Sequence, residues 1–265
     1  MAPRRFGDLV WPAVVAHRGA SATHPENTLD AFEAAVAAGA DGVELDVRLT
    51  ADGVPVVLHD ADVAATTDGR GPVHELPIEL VRELDASGGR GLGLRIPTLR
   101  EALEVLTPWV GVDIEVKNSP GEPGFDPDDR AVVEVLAALD VLGVRDRVLI
   151  SSFNPMTVAR ARGLAPDVAT GLLTTEALDP RSAAAAARDG GHAFVLPAVE
   201  AVRDGGPAFV GEVHAAGLRV GVWTVDDPEE VERLFSWGVD MVVANDPGAL
   251  VGVRDAARAS RIPRA

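Results

Sequence analysis

Cysteine is absent from this 265-residue sequence, so it has no disulfide framework and no thiolate metal site. Positive charge is in short supply: Lys+Arg number 24 against 41 Asp+Glu, a formal net charge of −17. A chain this acidic is a poor general binder of polyanions, and nucleic acid is not expected as a partner. An anionic substrate needs a local positive site set against the global field. Long apolar runs are also lacking. The N-terminal stretch has Arg4 and Arg5 but no apolar core of a signal peptide, and the run over 10–16 stops at His17. With no stretch near the length of a membrane span, a cytoplasmic protein without stable membrane insertion is expected. Lysine is the rarest charge. Lys117 is the single lysine, while arginine fills every other basic position.

That lysine closes the run 112–117, which alternates apolar and charged residues with the period of a strand. Asp113, Glu115 and Lys117 therefore project from one face. An ammonium is a compact point charge on a flexible stem. Its retention beside a carboxylate pair points to a required cation.

The 47% hydrophobic content suits a sizeable core, and no linker or second core-forming region is evident, so 1–265 reads as one domain. Strand-like and helix-like segments alternate throughout. Strands are expected over 13–16, 42–49, 110–117, 148–153, 168–174, 193–196, 219–225 and 241–244. Helices are expected over 28–38, 98–106, 129–142, 155–163, 181–189, 207–216, 228–237 and 248–259. Thr28 is a plausible N-cap and Gly39 a stop. A further strand over 55–59 forms a hairpin with the second through Asp52-Gly53. Setting the hairpin aside, these are eight strand–helix units, the pattern of an α/β (β/α)8 TIM barrel with a small hairpin and loop insertion after the second strand. An open doubly wound sheet is the main rival. Two helix-to-strand joints, Gly39-Ala40-Asp41-Gly42-Val43 and Gly238-Val239-Asp240-Met241-Val242, echo each other. The irregular stretches 61–96 and 118–128 follow strand ends, where the active-site loops of a barrel lie.

Glu44 and Asp46 share one face of the second strand. Val43 and Leu45 take the helix-facing side, so both carboxylates enter the barrel interior. Unpaired burial would cost several kcal/mol (about that order), so they need a cation. Glu115 arrives from the next barrel strand at a similar height. Three converging carboxylates imply a hard divalent cation such as Mg2+ or Ca2+. The competing arrangement is a buried carboxylate–arginine network, which Arg48, on the same face, is placed to serve. His17 and His59 both fall at strand ends and suit paired acid and base work. His214 reads as solvated on a helix, His192 as structural; His24 and His74 are unassigned loop residues. Arg18 and Lys117 are the cationic candidates to offset a phosphate, with a salt bridge to a neighbouring acid as the other reading of Arg18. Trp223, at the end of the seventh strand, either covers the organic part of a substrate or plugs the barrel.

The run His17-Arg18-Gly19-Ala20, followed by Pro25-Glu26-Asn27-Thr28, resembles the N-terminal signature of the glycerophosphodiester phosphodiesterase family. The resemblance continues in order through Gly39-Ala40-Asp41-Gly42-Val43-Glu44-Leu45-Asp46-Val47, Leu49-Thr50-Ala51-Asp52-Gly53 and Val56-Val57-Leu58-His59-Asp60. Thr66-Thr67-Asp68-Gly69, Ile96-Pro97-Thr98-Leu99, Ile114-Glu115-Val116-Lys117 and Ser151-Ser152-Phe153 extend it. Val222-Trp223-Thr224-Val225 and Gly238-Val239-Asp240 close it. It implies a (β/α)8 barrel that hydrolyses glycerophosphodiesters to glycerol 3-phosphate and an alcohol with a divalent metal, Mn2+ being a third candidate. By resemblance, Glu44, Asp46 and Glu115 are metal ligands, His17 and His59 the acid/base pair, and Arg18 and Lys117 phosphate contacts. Glu26 and Asn27 match supporting positions of the first loop, Asn27 touching metal or holding a ligand, and Trp223 lines the substrate side.

Two segments depart from the family pattern. The glycine-rich loop 85–95 lacks the aromatic residues of the specificity insert, which bears on the alcohol head group. Ala244-Asn245-Asp246-Pro247 stands where a threonine–aspartate pair is usual, and is expected to leave the chemistry untouched. The rivals are a lysophospholipase D-type enzyme, which needs an apolar cleft, and a non-catalytic phosphodiester-binding barrel, expected to have lost a ligand or a histidine. An aldolase-type barrel with Lys117 as Schiff-base nucleophile is disfavoured, because Glu115 keeps that lysine charged.

Overall fold

The computed structural model describes Phe6 and residues 9–261; Arg4 and Arg5 lie outside the described residues. The chain runs β1 (Ala13–His17), α1 (Leu29–Ala37), β2 (Gly42–Leu49), β3 (Pro55–Val57), α2 (Ile78–Val81), α3 (Leu99–Leu106), β4 (Gly111–Val116), α4 (Arg130–Leu142) and β5 (Val148–Ser152). It continues α5 (Pro155–Leu164), β6 (Ala169–Thr174), α6 (Pro180–Asp189), β7 (Phe194–Pro197), α7 (Val199–Ala215), β8 (Arg219–Val222), α8 (Pro228–Ser236), β9 (Met241–Ala244) and α9 (Pro247–Arg261). All strands except β3 are parallel, and β1 pairs with both β2 and β9, so the sheet closes into an eight-stranded barrel. β3 hangs antiparallel on β2, with Val47 opposite Val57 and Leu49 opposite Pro55. The hairpin strand is shorter than its sequence implied, ending at Val57, although Leu58 N still donates to Asp46 O at 3.0 Å.

Local chemistry sets the element ends. Thr28 accepts a hydrogen bond from Ala31 N at 3.2 Å and caps α1, and Gly39 takes φ +86° just beyond its end. Thr98 and Glu101 form a reciprocal capping box at α3.

The two faces of each barrel strand meet different partners. Val43, Leu45, Val112, Ile114 and Ile150 pack outward against α1, α3 and α4 residues such as Phe32, Leu103 and Val132. Each such side chain contributes about 1.5–3 kcal/mol by leaving water. Inward, Val15, Leu149, Phe194, Leu196 and Met241 fill the barrel, and Phe6, Leu9 and Trp11 pack beneath them. The interior is tight: a Cβ at Gly111 would lie 2.9 Å from Phe6 Cδ2.

The echoing joints have a physical role. Asp41 Oδ2 accepts from Val14 N at 3.1 Å, and Asp240 Oδ2 accepts from Val220 N at 3.0 Å. Each aspartate thus ties its own joint to a neighbouring strand at the N-terminal end of the barrel. Arg254 and Arg258 of α9 reach the same Asp41 carboxylate at 3.0 and 2.9 Å and fasten the last helix over the β1 edge.

Several expectations need correction. α7 starts at Val199 rather than 207: two helical pieces meet at Gly206 (φ 59°, ψ −164°) before Pro207, and the Gly-Gly-Pro break hid the first. The stretch 61–96 contains α2 and two single 3-10 turns, and builds a small satellite core of Val56, Leu58, Val63, Val73, Val81, Ala86 and Ile96. His214 is not simply solvated; its Nε2 lies 2.9 Å from Asp240 Oδ2. His192 is buried with Nδ1 2.9 Å from Thr170 Oγ1, as expected of a structural histidine.

Candidate active site

Parallel register brings the chemistry-bearing residues to one height. His17 pairs with Glu44 across β1–β2, and Asp46 with Glu115 across β2–β4. His17 and Glu115 lie at the C-terminal ends of β1 and β4, and Glu44 and Asp46 meet them from within the longer β2. One cavity of about 160 Å³ is lined by His17, Arg18, Glu44, His59, Glu115 and Lys117 on its polar side. Phe153, Leu173, Leu196, Trp223 and Val243 form its apolar wall.

Glu44, Asp46 and Glu115 are buried, and one carboxylate oxygen from each lies within 4.8 Å of the other two. Burial pushes the Glu44 carboxyl well above its ordinary range, and the neighbouring Asp46, Glu115 and Asp113 charges add to it. Burial likewise lifts Glu115 to about 7, although Lys117 opposes the rise. Asp46 goes the other way. Burial raises it, but Lys117, Arg18 and His59 outweigh that and hold it low. Lys117 Nζ sits 3.0 Å from Asp46 Oδ1 and 2.5 Å from Glu115 Oε1. Burial alone would lower this ammonium; Asp46 and Glu115 raise it, so it stays charged.

Arg18 Nε lies 3.2 Å from Asp46 Oδ2, and its Nη1 donates to Glu26 Oε1 at 2.9 Å. Asn27 Nδ2 donates to Asp46 Oδ2 at 2.8 Å, so the supporting pair each hold a more central residue. Arg18 and Asn27 have φ of 55° and 57°, two of the three non-glycine residues with positive φ among those described. Backbone held in this region marks a turn fixed by its surroundings. Gly19 follows at φ +84°, and a Cβ there would sit 2.7 Å from the backbone C and O of Ala31. Only glycine lets the loop lie on the first turn of α1 and aim Arg18 inward. Arg18 N also donates to Glu44 Oε2 at 3.0 Å.

The other Glu44 oxygen, Oε1, is buried with no hydrogen-bond partner. An orphaned buried carboxylate oxygen, raised in pKa and facing two more carboxylates, is a site short of positive charge. The all-oxygen donor set fits a hard divalent cation held by Glu44, Asp46 and Glu115. The alternative network through Arg48 does not form. Arg48 turns away, giving Nε to His59 O at 2.7 Å and Nη2 to Glu122 Oε2 at 3.2 Å.

The two histidines have different companions. His17 Nδ1 lies 2.8 Å from Asn245 Oδ1, and Asn245 Nδ2 donates to Asp226 Oδ2 at 2.7 Å. The segment 244–247, expected to leave the chemistry untouched, instead places Asn245 against His17. His59 Nδ1 lies 3.0 Å from Asp60 Oδ1. Burial pushes both imidazoles below 6.5. Trp223 donates Nε1–H to Leu196 O at 2.8 Å and meets Phe153 edge-on, ring centres 5.3 Å apart. Its ring is pinned as a wall of the cavity.

Sequence reasoning gave no role to Asn245, Asp226, Phe153 or Asp113. Asp113 did signal itself by sharing a face with Glu115 and Lys117. It is buried, raised to about 7 by burial, and accepts from Ser151 Oγ at 2.7 Å.

Known proteins share this sequence pattern and fold. The profile of the Glycerophosphoryl diester phosphodiesterase family matches residues 17–249. A glycerophosphodiester phosphodiesterase of Caldanaerobacter subterraneus subsp. tengcongensis is 36% identical over 247 residues, covering 91% of this chain and 96% of the relative. One from Bacillus altitudinis is 31% identical, covering 91% and 98%. The structure of an Oleispira antarctica phosphodiesterase in complex with the product sn-glycerol-3-phosphate superposes with a TM-score of 0.83 at 29% identity, covering 92% of this chain and 97% of that one. The chain belongs to the glycerophosphoryl diester phosphodiesterase family and is an enzyme of that phosphoric diester hydrolase class.

Proposed function

We propose that the enzyme hydrolyses glycerophosphodiesters to sn-glycerol 3-phosphate and an alcohol, using a divalent cation, Mg2+ or Ca2+, on Glu44, Asp46 and Glu115 and proton transfer by His17 and His59. The observation that carries this reading is the meeting of a three-carboxylate cluster, two cations and two histidines at one end of the barrel. The product bound by the Oleispira relative supports the choice of substrate.

Arg18 and Lys117 border the cluster and offset the negative charge of the phosphate oxygens. The cation, when bound, supplies further stabilisation of charge on those oxygens. Asp226 only accepts, so the amide it holds must be the Nδ2 of Asn245, and Oδ1 faces His17. His17 therefore carries its proton on Nδ1 and keeps Nε2 as a base. It takes the proton of the attacking oxygen as the new P–O bond forms; where that oxygen is the glycerol 2-hydroxyl rather than water, the step yields a cyclic glycerol phosphate, which water then opens to glycerol 3-phosphate with the two histidines exchanging roles. His59, its Nδ1 held 3.0 Å from Asp60 Oδ1, gives a proton to the leaving alkoxide as the other P–O bond breaks. The anionic substrate raises this imidazole against the effect of burial.

Trp223 and Phe153 cover the carbon face of the bound glycerol. The cavity, about 160 Å³, lies below the ~300–1,000 Å³ usual for drug-sized ligands, which favours a small glycerol head over an acylated one. Both histidines and all three carboxylates are in place, which disfavours a binding-only barrel. We take the chain to act as one domain on a small molecule, with no nucleic-acid partner. Among the described residues, no helix is long and apolar enough to cross a membrane.

The test is turnover of glycerophosphocholine, glycerophosphoethanolamine and glycerophosphoglycerol after EDTA, then with Mg2+, Ca2+ or Mn2+ restored. Activity lost to the chelator and restored by a metal, with glycerol 3-phosphate as product, is expected. Undiminished activity after exhaustive chelation would contradict the cation.

A further inference from the structure

The two histidines of the cavity are carried differently. His17 closes β1 and pairs with Glu44 in the barrel ladder. His59 belongs to no barrel strand: β3 ends at Val57, and His59 follows on the insertion. A group on a loop is set less precisely than one on a strand, and proton transfer needs hydrogen-bond reach. His59 therefore needs a tether to β2, the strand that bears Glu44 and Asp46.

Arg48 supplies one. It follows Asp46 on the same face of β2 and is buried. Its Nε donates to the His59 carbonyl at 2.7 Å, and its Nη2 donates to Glu122 Oε2 at 3.2 Å. One planar fork thus joins β2, the insertion and the loop from β4 to α4 at the backbone of His59. Leu58 N donates to Asp46 O at 3.0 Å, so the chain is gripped on both sides of the imidazole. Glu122 answers the charge that burial of the guanidinium would otherwise leave unpaired. The loop that bears Glu122 is itself closed: Asn118 Oδ1 accepts from Asp126 N, and Asn118 Nδ2 donates to Asp126 O, each at 2.8 Å. An arginine that served stability alone could take any carbonyl of the insertion. This one takes the carbonyl of the residue whose ring lines the cavity.

We propose that Arg48, braced by Glu122, is a positioning residue for His59 and so governs how fast the leaving alkoxide is protonated. The inference rests on the hydrolytic reading above, in which His59 is the acid. Small displacements of a proton donor cost rate steeply, while the carboxylate cluster and His17 keep their own supports.

The experiment reads single-turnover release of the leaving group from two diesters, with the activating metal present and enzyme in excess. Glycerophosphoglycerol loses an alkoxide that needs a proton. The p-nitrophenyl ester of glycerol phosphate loses a stable phenolate that needs none. Arg48→Met should slow the first about 10- to 100-fold and the second far less. Its divalent-cation affinity by calorimetry should stay near native. Glu122→Ala changes a half-exposed carboxylate and does not endanger the fold; it should show the same selectivity with a smaller loss. His59→Ala should show the largest selective loss, and adding Arg48→Met to it should slow it no further. Equal losses on both esters in Arg48→Met, a further loss on top of His59→Ala, or loss of the metal in Arg48→Met would overturn the positioning role and leave the hydrolytic reading standing. Equal losses on both esters in His59→Ala would overturn the acid role of His59, and the inference with it.

Discussion

Asn245 Oδ1 stands 2.8 Å from His17 Nδ1, across 228 residues of chain. The amide cannot turn over, because Asp226 takes its Nδ2 and its backbone N–H at 2.7 and 2.6 Å. Ser21 Oγ also donates to the same Oδ1 at 3.1 Å and steadies it. A fixed acceptor at Nδ1 chooses one tautomer of the imidazole and leaves Nε2 open.

Asn245→Ala should lower kcat about 10- to 100-fold with little change in KM, since acid–base positioning and not binding is lost. Asn245→Asp keeps an acceptor beside His17 but sets its second oxygen against Asp226 Oδ2, so its activity should fall along with that of Asn245→Ala. Steady-state kinetics of the two variants checks this. A loss carried by KM alone would contradict the tautomer role.

Asp113 gives a pH signature in metal-free protein. Burial raises it to about 7, against an unfolded value near ~3.9. Below the unfolded value both states hold the proton and nothing is lost. Between the two values the unfolded chain gives up a proton that the folded chain keeps, so stability falls as pH rises. Asp113→Asn removes that contribution. The Tm of Asp113→Asn minus that of the native protein should therefore grow from pH 5 to pH 8. A difference that stays flat or shrinks would show that Asp113 is ionised at little cost in the fold.

The clamp at the other end of the barrel concerns stability alone. Asp41→Ala leaves Arg254, 7% exposed, without its buried partner and should cost about 3–5 kcal/mol. Asp240→Ala should cost less, because the side chains of His214 and Arg219 are about two-fifths exposed and find water instead. Denaturant unfolding of both variants tests the order; divalent-metal affinity of the folded fraction should be unchanged in each.

Gly19→Ala should damage both fold and site. The new Cβ meets the backbone of Ala31 rather than a movable side chain, at a φ that L residues rarely adopt. An overpacking cost of about 1–3 kcal/mol is expected, together with loss of turnover as Arg18 is displaced. Full activity in this variant would show that the loop has room to move.

Much of this was legible in the sequence because two periods and one parity rule carried it. Alternation placed Glu44, Asp46 and Glu115 inside the barrel, and parallel register then made their heights agree. The eight units followed from short valine-rich strands between helices. Contacts between residues far apart in sequence were not legible. No local pattern links Asn245 to His17 or Arg48 to Glu122. Arg48 shares a face with Glu44 and Asp46, yet one strand position further on, its long side chain reaches the His59 carbonyl instead of the cluster. The first half of α7 was masked by Gly205-Gly206-Pro207, a sequence that normally ends a helix and here only kinks one. The satellite core under 61–96 was missed because its apolar residues are spaced irregularly, in step with neither a helix nor a strand.

The most direct measurement pairs metal binding with turnover in four proteins: His17→Ala, His59→Ala, Glu44→Gln and Glu115→Gln. Divalent-cation affinity by calorimetry and hydrolysis of glycerophosphoglycerol are read on each. The account predicts near-native metal affinity with turnover reduced about 10²- to 10⁴-fold in the histidine variants, and loss of both in the carboxylate variants. Histidine variants that lose the metal as completely as Glu44→Gln and Glu115→Gln would contradict it.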